Sequence, residues 1–288
     1  MLVSLAYSVF LFIMASLPST ATSFTPGRSA PAEETIEKLS RWKNRWDGNM
    51  IGWHKDDPHR NLIKYGGEII PSFTAESDDK TCKESTSDFR IFVPLCGKTV
   101  DMAFLAQHPS VSQVVGVDGI KKALVAFSEE HPQLEIETGG DSNKVDEDVV
   151  ERLTGKGIQL LRGDFFDLNE AVTGKFDMIL DRASIVAIQP TLREQYVGVL
   201  GKLLKPGGSI LLMTVDRRSG KEEARKAGPP FSVDEEEVRR LYENLDWVKE
   251  VKLVDEYDEF QDQGMEEKFG SQGLDSVYEL CFIITAKE

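Results

Sequence analysis

The sequence predicts an α/β fold: a doubly wound, seven-stranded, mostly parallel sheet with a C-terminal antiparallel hairpin. Three observations carry that expectation. Short apolar runs alternate with helix-patterned stretches along the chain, the pattern of a sheet covered by helices on both faces. The first run, 90–93, leads straight into the tight turn Leu95-Cys96-Gly97-Lys98. The second, 114–118, ends on an acid: Asp118 lies 21 positions after Gly97. That is close to the spacing at which a carboxylate closing a second parallel strand meets the ribose of a ligand seated on the first turn.

The elements follow in order. Residues 37–46 have helical spacing, with Leu39, Trp42 and Trp46 on one face, before a turn at Asp47-Gly48. A second helical stretch covers 61–65, and the polar segment 72–88 reads as a surface loop. Beyond the first βαβ unit, 120–130 is a helix, the acidic run 139–151 a second surface loop, and 158–162 and 176–180 the third and fourth strands. An amphipathic helix over 191–204 is stopped by Lys205-Pro206-Gly207-Gly208, a turn that feeds the apolar strand 209–215. Strands over 248–254 and 278–285, joined by the long connection 255–273, complete the sheet. Ligands of such folds lie over the carboxyl ends of the strands. Leu95, Asp118, Asp164 and Arg182 each follow a predicted strand and therefore converge on one crevice.

Composition bounds the partners. A chain of 288 residues, 40% hydrophobic and 29% charged, accommodates one large domain with an N-terminal extension. A net charge of −15 argues against a nucleic acid, whose phosphates need clustered Lys and Arg. Three cysteines, Cys82, Cys96 and Cys281, have neither metal-ligand spacing nor an even count, and four histidines form no ligand pair, so no metal site is expected. The turn after the first strand is not G-x-G-x-x-G, so it offers no cradle for a pyrophosphate. An adenosine without phosphates, as in S-adenosylmethionine, fits what remains.

The first 27 residues carry no charged side chain, and 2–17 is an apolar run ending at Pro18. This reads as a leader or signal peptide, with Ala21-Thr22-Ser23 placing small residues before a cut at Phe24. About 16 apolar residues are short against the ~20 that span a bilayer, which ranks an anchor second and a core segment third. The junction Ala21-Thr22-Ser23-Phe24-Thr25-Pro26 also resembles the Phe-centred one of bipartite leaders in algae with secondary plastids, which implies a plastid destination; the secretory pathway and the cytoplasm are the alternatives. The expected organisation is thus a leader over 1–23, a Pro- and Ser-rich linker over 24–36 and a catalytic domain over 37–288.

A set of motifs in one order resembles the thiopurine S-methyltransferases. They are Trp42-x-x-x-Trp46 with Gly52-Trp53-His54, Phe92-Val93-Pro94-Leu95-Cys96-Gly97-Lys98, Val114-Val115-Gly116-Val117-Asp118 and Phe165-Phe166-Asp167-Leu168. Phe176-Asp177-Met178-Ile179-Leu180-Asp181-Arg182, Val186-Ala187-Ile188-Gln189-Pro190, Gly228-Pro229-Pro230-Phe231 and Gly273-Leu274-Asp275 continue it. The resemblance implies a monomeric enzyme that uses S-adenosylmethionine to methylate sulfur, and in some members selenium or tellurium. By position it implies cofactor contacts from Trp42, Trp46, Leu95, Gly97, Asp118, Asp164, Phe165 and Arg182, with Trp53 beside the acceptor. The residue types suit those roles. Asp118 has lone pairs for two ribose hydroxyls, Leu95 and Phe165 have apolar surface for a purine, and Trp42 presents a face to a sulfonium cation. Arg182 suits an anionic acceptor or the methionine carboxylate, which makes it the candidate catalytic residue.

Each of these residues also has a plainer role open to it. Leu95 and Phe165 suit a core, Trp42 and Trp46 at i and i+4 suit a core stripe, Cys96 a packed loop, His54 a structural imidazole, and Asp181-Arg182 an ion-paired strand end. Two departures from the family pattern bear on the acceptor. Lys268 stands where mammalian members place an arginine, and Asp118 where the relatives usually have Glu. Asn49-Met50-Ile51-Gly52 is closer to bacterial relatives and favours small soft nucleophiles. The expected acceptor is a small-molecule thiol, a selenium species or a halide, met by Trp53, Arg182 and Lys268. A halide or small-thiol methyltransferase on the same scaffold and a catalytically silent cofactor-binding module are the competing readings. A nicotinamide dehydrogenase is a distant third.

Overall fold

The computed structural model describes residues 32–73, 88–137 and 151–288, with only the backbone of 32–38. The leader expected over 1–23, most of the linker, and nearly all of the surface loops expected over 72–88 and 139–151 lie outside the described residues.

The strands are β1 (Arg90–Val93), β2 (Gln113–Asp118), β3 (Glu151–Gly155), β4 (Ile158–Arg162), β5 (Phe176–Arg182), β6 (Leu204–Arg218), β7 (Val248–Asp258) and β8 (Ser276–Ala286). They form one sheet in the order β3-β4-β2-β1-β5-β6-β8-β7. The five strands from β4 to β6 are parallel, whereas β8 runs antiparallel to both β6 and β7. Alternate residues of a strand point to opposite faces, and here both faces are buried. Phe92, Val115, Leu161, Ile179, Leu212 and Phe282 enter one core, while Ile91, Val114, Leu160, Leu180, Leu211 and Cys281 enter the other.

Helices close both sides. Helix α1 (Ala32–Asp47), α2 (Arg60–Tyr65), α3 (Val100–Ala106) and α4 (Lys121–Glu130) precede the third strand. Leu62, Tyr65, Met102, Leu105, Leu124 and Phe127 from α2 to α4 pack on one face. The later helices are α5 (Glu170–Thr173), α6 (Arg193–Leu203), α7 (Glu222–Lys226), α8 (Glu235–Tyr242) and α9 (Met265–Gly270). Tyr196, Leu200, Val238 and Tyr242 from α6 and α8 cover the other face. Each fully buried aromatic or aliphatic side chain contributes about 1.5–3 kcal/mol, so the paired cores fix the strand ends on which the site depends.

Three details differ from the sequence expectation. The sheet has an eighth strand, β3, paired antiparallel with β4 at the edge across the turn at Lys156-Gly157. Only Leu153 of it is buried, so no apolar alternation marks it. Helix α1 starts at Ala32 rather than Glu37; Pro31 and the two glutamates after Ala32 are a helix-start pattern, so the last linker residues belong to the helix. The Lys205-Pro206-Gly207-Gly208 turn lies within β6 as a bulge: Leu204 pairs with Phe176, and Ser209 with Met178.

Candidate active site

The turns expected to meet the cofactor are two, clipped together by one carboxylate. After β1 the chain reverses through Leu95 and Gly97, both in left-handed conformations (φ 42° and 53°). Only Gly takes that geometry freely. The Gly97 N–H donates to Asp118 Oδ2 at 2.9 Å, and the Ile120 N–H to Oδ1 at 2.8 Å. The Cys96 N–H donates to the Val117 carbonyl at 2.8 Å. Burial pushes the Asp118 carboxyl up to about 6, against the pull of these two N–H groups. Each carboxylate oxygen keeps a lone pair for a further donor. Beneath this turn, Cys96 is buried, its thiol raised well above the ordinary cysteine range by burial, so it is a packed thiol and not a nucleophile. A Cβ on Gly116 would lie 2.9 Å from its Sγ, and 2.5 Å from Met102 Sδ, so the glycine is what lets the sulfurs pack there.

The end of β5 is tied to the same turn. Ser184 Oγ donates to the Pro94 carbonyl at 2.7 Å. Asp181 is fully buried; it accepts the N–H groups of Ser184 and Ile185 at 3.2 Å each and the Tyr196 hydroxyl at 2.8 Å. Burial, the largest influence, raises its carboxyl to about 6. Ala183 between these residues adopts φ 59°, a conformation costly for a non-glycine residue.

Arg182 is where the structure most refines the sequence reading. Its guanidinium donates to Thr99 Oγ1 at 2.8 Å, to Asp101 Oδ2 at 3.3 Å and to the Trp53 carbonyl at 3.4 Å. It is an ion-paired strut that joins β5, the start of α3 and the Trp53 loop, with its charge matched by the fully buried Asp101. Asp101 also accepts Thr99 Oγ1 at 2.8 Å and the His59 N–H at 2.7 Å. His59 and Arg60 in turn meet Glu279 of β8 at 3.0 and 2.8 Å. The polar network therefore runs from the crevice to the far hairpin.

Helix α1 covers the two donor-side turns. A Cβ on Gly119 would lie 2.6 Å from Leu39, and one on Gly97 3.4 Å from the Trp46 ring. Lys122 Nζ donates to the Trp46 carbonyl at 2.9 Å. Trp46 is 5% exposed and packs with Ile120 and Ala123, so it supports the crevice from the core side. Trp42 and Trp53 are half-buried beside it, edge to face with centroids 5.4 Å apart. The Arg45 guanidinium carbon lies 5.1 Å from the Trp53 ring centroid and 5.9 Å from that of Trp42. Arg41 donates to the Gly228 carbonyl at 3.3 Å, which seats α1 against the 228–231 loop. His54 is held below the ordinary imidazole range, by burial first and by Lys98 second, and is neutral near pH 7.

The remaining expected contacts divide. Leu95 is half-buried at the turn. Asp164 caps the 3-10 turn Phe165–Asp167, accepting the Phe166 N–H at 2.9 Å. The Gly163 N–H donates to the Asp118 carbonyl at 3.3 Å and so holds this loop beside β2. The Phe165 ring is 2% exposed, stacked on Tyr196 at 4.6 Å, and belongs to the core. Lys268 is exposed on α9, above the Phe269 ring, and among the described residues makes no hydrogen bond or cation–π contact with Trp53 or Arg182. Thr99, Asp101 and Arg45 were not expected from the sequence. Thr99-x-Asp101 at a helix start was the visible signal for the first two.

Comparison with known proteins agrees with this architecture. The family model "Thiopurine S-methyltransferase (TPMT)" matches residues 37–287. A probable thiopurine S-methyltransferase of Danio rerio is 33% identical over 259 residues, 90% of this chain and 99% of that one. The thiopurine S-methyltransferase of Pseudomonas aeruginosa strain UCBPP-PA14 is 32% identical over 246 residues, 84% and 96% of the two chains. Among solved structures, the fold resembles a Burkholderia thailandensis 1,6-didemethyltoxoflavin-N1-methyltransferase with bound S-adenosylhomocysteine. The TM-score is 0.51 at 12% identity, covering 92% of this chain and 94% of that one. With the sheet order and a match across nearly the whole described fold in agreement, the chain belongs to the thiopurine S-methyltransferase family, enzymes that depend on S-adenosylmethionine.

Proposed function

We propose that this methyltransferase acts on a soft, anionic atom of a small molecule, a thiolate ahead of a selenium species. The observation that carries the proposal is the pairing of a backbone-clipped Asp118 with the Trp42–Trp53 corner, which Trp46 links to the Gly97 turn. The crevice suits S-adenosylmethionine: Asp118 has one lone pair per oxygen left for ribose hydroxyls, and the turn lacks a phosphate cradle. When bound, that cofactor supplies an electrophilic methyl group on a sulfonium.

The chain's own residues supply position. Asp118 grips the ribose, and the backbone of Asp164 and Phe165 lines the base, because the Phe165 ring faces the core. Trp42 and Trp53 exclude water from the acceptor side and present aromatic surface to a cation. Arg182, braced by Asp101, holds the Trp53 loop in register with the strand ends. Holding two reactants in line removes most of the entropic barrier to a displacement. A thiol that ionises near neutral pH needs little help from a base, which suits a corner where the neighbouring imidazole of His54 is neutral.

A labelled-methyl assay with thiopurine, thiophenol, selenite, bisulfide and iodide as competing acceptors tests the proposal. The expected result is transfer to the aromatic thiols first. Preferred transfer to iodide would replace it with a halide methyltransferase. Cofactor binding without transfer to any sulfur acceptor would leave a silent binding module.

A further inference from the structure

We propose that Arg45 is the specificity determinant for acceptor charge: its guanidinium, seated against Trp53 and Trp42, holds an anionic group of the acceptor. The inference deepens the methyl-transfer reading and rests on it. Its basis is a contrast among the cations around the crevice. Arg182 is paired with Asp101, Lys98 with Glu130 and Arg60 with Glu279. Among the described residues no carboxylate pairs with Arg45. Its Nε is buried and has no hydrogen-bond partner among them.

What holds Arg45 is an aromatic corner rather than an ion pair: its guanidinium carbon lies 5.1 Å from the Trp53 ring centroid and 5.9 Å from that of Trp42. A cation–π contact attracts the charge without a carboxylate, so the cation can still take an anionic ligand. Arg45 stands at the Trp53 corner, where the acceptor is proposed to lie. Arg45 lies one turn after Arg41, so both occupy one stripe of α1, and Arg41 reaches the Gly228 carbonyl of the 228–231 loop. Trp53 joins the two arginines: its ring carries Arg45 and its carbonyl accepts from Arg182. The paired Arg182 shapes the corner, and the unpaired Arg45 gives it net positive charge. An anionic group beside Arg45 relieves that charge at little ordering cost, because the guanidinium is already held.

The test compares two acceptors of nearly equal shape, 4-mercaptobenzoate and 4-mercaptobenzamide, binding to the full chain loaded with S-adenosylhomocysteine. Calorimetry on wild type should show the carboxylate bound about tenfold more tightly than the amide, the scale of one charge-assisted contact. Arg45→Gln should bring that ratio close to one, and Arg45→Lys, which keeps charge but loses the planar edge, should retain part of it. Affinity for S-adenosylhomocysteine, measured first, reports whether each variant is folded. If Arg45→Gln does not fold, the Lys variant carries the test, and a ratio there undiminished from wild type overturns the assignment. A ratio near one in wild type, or an unchanged ratio in Arg45→Gln, overturns the assignment. Labelled-methyl transfer to either thiol is read separately. Charge-selective binding without turnover removes the methyl-transfer reading and leaves Arg45 its role, while turnover without charge selectivity does the reverse.

Discussion

The two sides of the crevice are held by different means. On the donor side, main-chain groups do the holding: Gly97 and Ile120 clip Asp118, and the Pro94 carbonyl receives Ser184. On the acceptor side, Trp42, Trp53 and Arg45 meet ring to ring, and α1 reaches the 228–231 loop through one 3.3 Å bond from Arg41. Main-chain clips survive changes of neighbouring side chains, because every residue but proline carries the same N–H. A corner made of rings is altered by any single substitution in it. Such a division lets one fold keep its cofactor while its acceptor changes.

The largest effect should come from the joint between the sides. Asp101→Ala leaves Arg182, Thr99 Oγ1 and the His59 N–H without their shared buried partner. Removing one member of a buried pair costs about 3–5 kcal/mol, to be read by urea unfolding, and both cofactor and acceptor affinity should fall together. A loss below about 1 kcal/mol would show that the two sides stand independently.

Next comes Asp118→Ala, expected to weaken S-adenosylhomocysteine binding about 100-fold in calorimetry while any residual turnover keeps the wild-type acceptor preference. The same carboxyl sets a pH dependence with two signs. Only its ionised form accepts from both ribose hydroxyls, so affinity should fall about tenfold per unit below pH 6. Stability moves the other way. Its folded pKa of about 6 is raised above the unfolded value, so its contribution to the free protein is fully present below about pH 4 and lost as pH rises through 6. Wild type minus Asp118→Asn should therefore gain stability on acidification while cofactor affinity drops. Parallel changes would place the titration elsewhere.

On the acceptor side, Trp53→Ala should raise the thiol KM about tenfold, the scale of one lost aromatic contact, with S-adenosylhomocysteine affinity within about threefold of wild type. Equal losses of both would show that Trp53 belongs to the donor side as well.

The same contrast explains what was legible in the sequence. Strand ends write themselves into a chain as apolar runs closed by particular residues, so β1, β2, β5 and Asp118 could be placed from 90–93, 114–118 and 176–180. The clip was half visible: the spacing located Asp118, but not the Gly97 and Ile120 N–H groups that hold it, since backbone donors have no residue signature. The side chain of Phe165 was not legible, because a phenylalanine after an acid reads the same whether its ring turns to a ligand or, as here, to Tyr196. β3 was missed because an edge strand with one buried residue resembles a loop. Asp101 and Arg45 depend on partners 81 positions away and on ring orientation respectively, neither of which local pattern reports.

The smallest expected effect sharpens the comparison most. Lys268 and Arg45 carry the same formal charge, and both lie over aromatic rings, Lys268 at 5.2 Å from Phe269. They differ in setting. Lys268 is exposed on α9, where water and salt screen it. Arg45 sits against two indoles with a buried Nε. If charge acts on the acceptor only where water is excluded, Lys268→Ala should change the KM for a carboxylated thiol by less than about twofold at physiological salt. Whatever effect there is should vanish at high salt, whereas the Arg45 effect persists longer because a partly buried charge is screened less. A tenfold rise in KM for Lys268→Ala, unaffected by salt, would mean that α9 folds down over Trp53 when the acceptor binds. The acceptor side would then be completed by the β7–β8 connection rather than by α1 and the 228–231 loop.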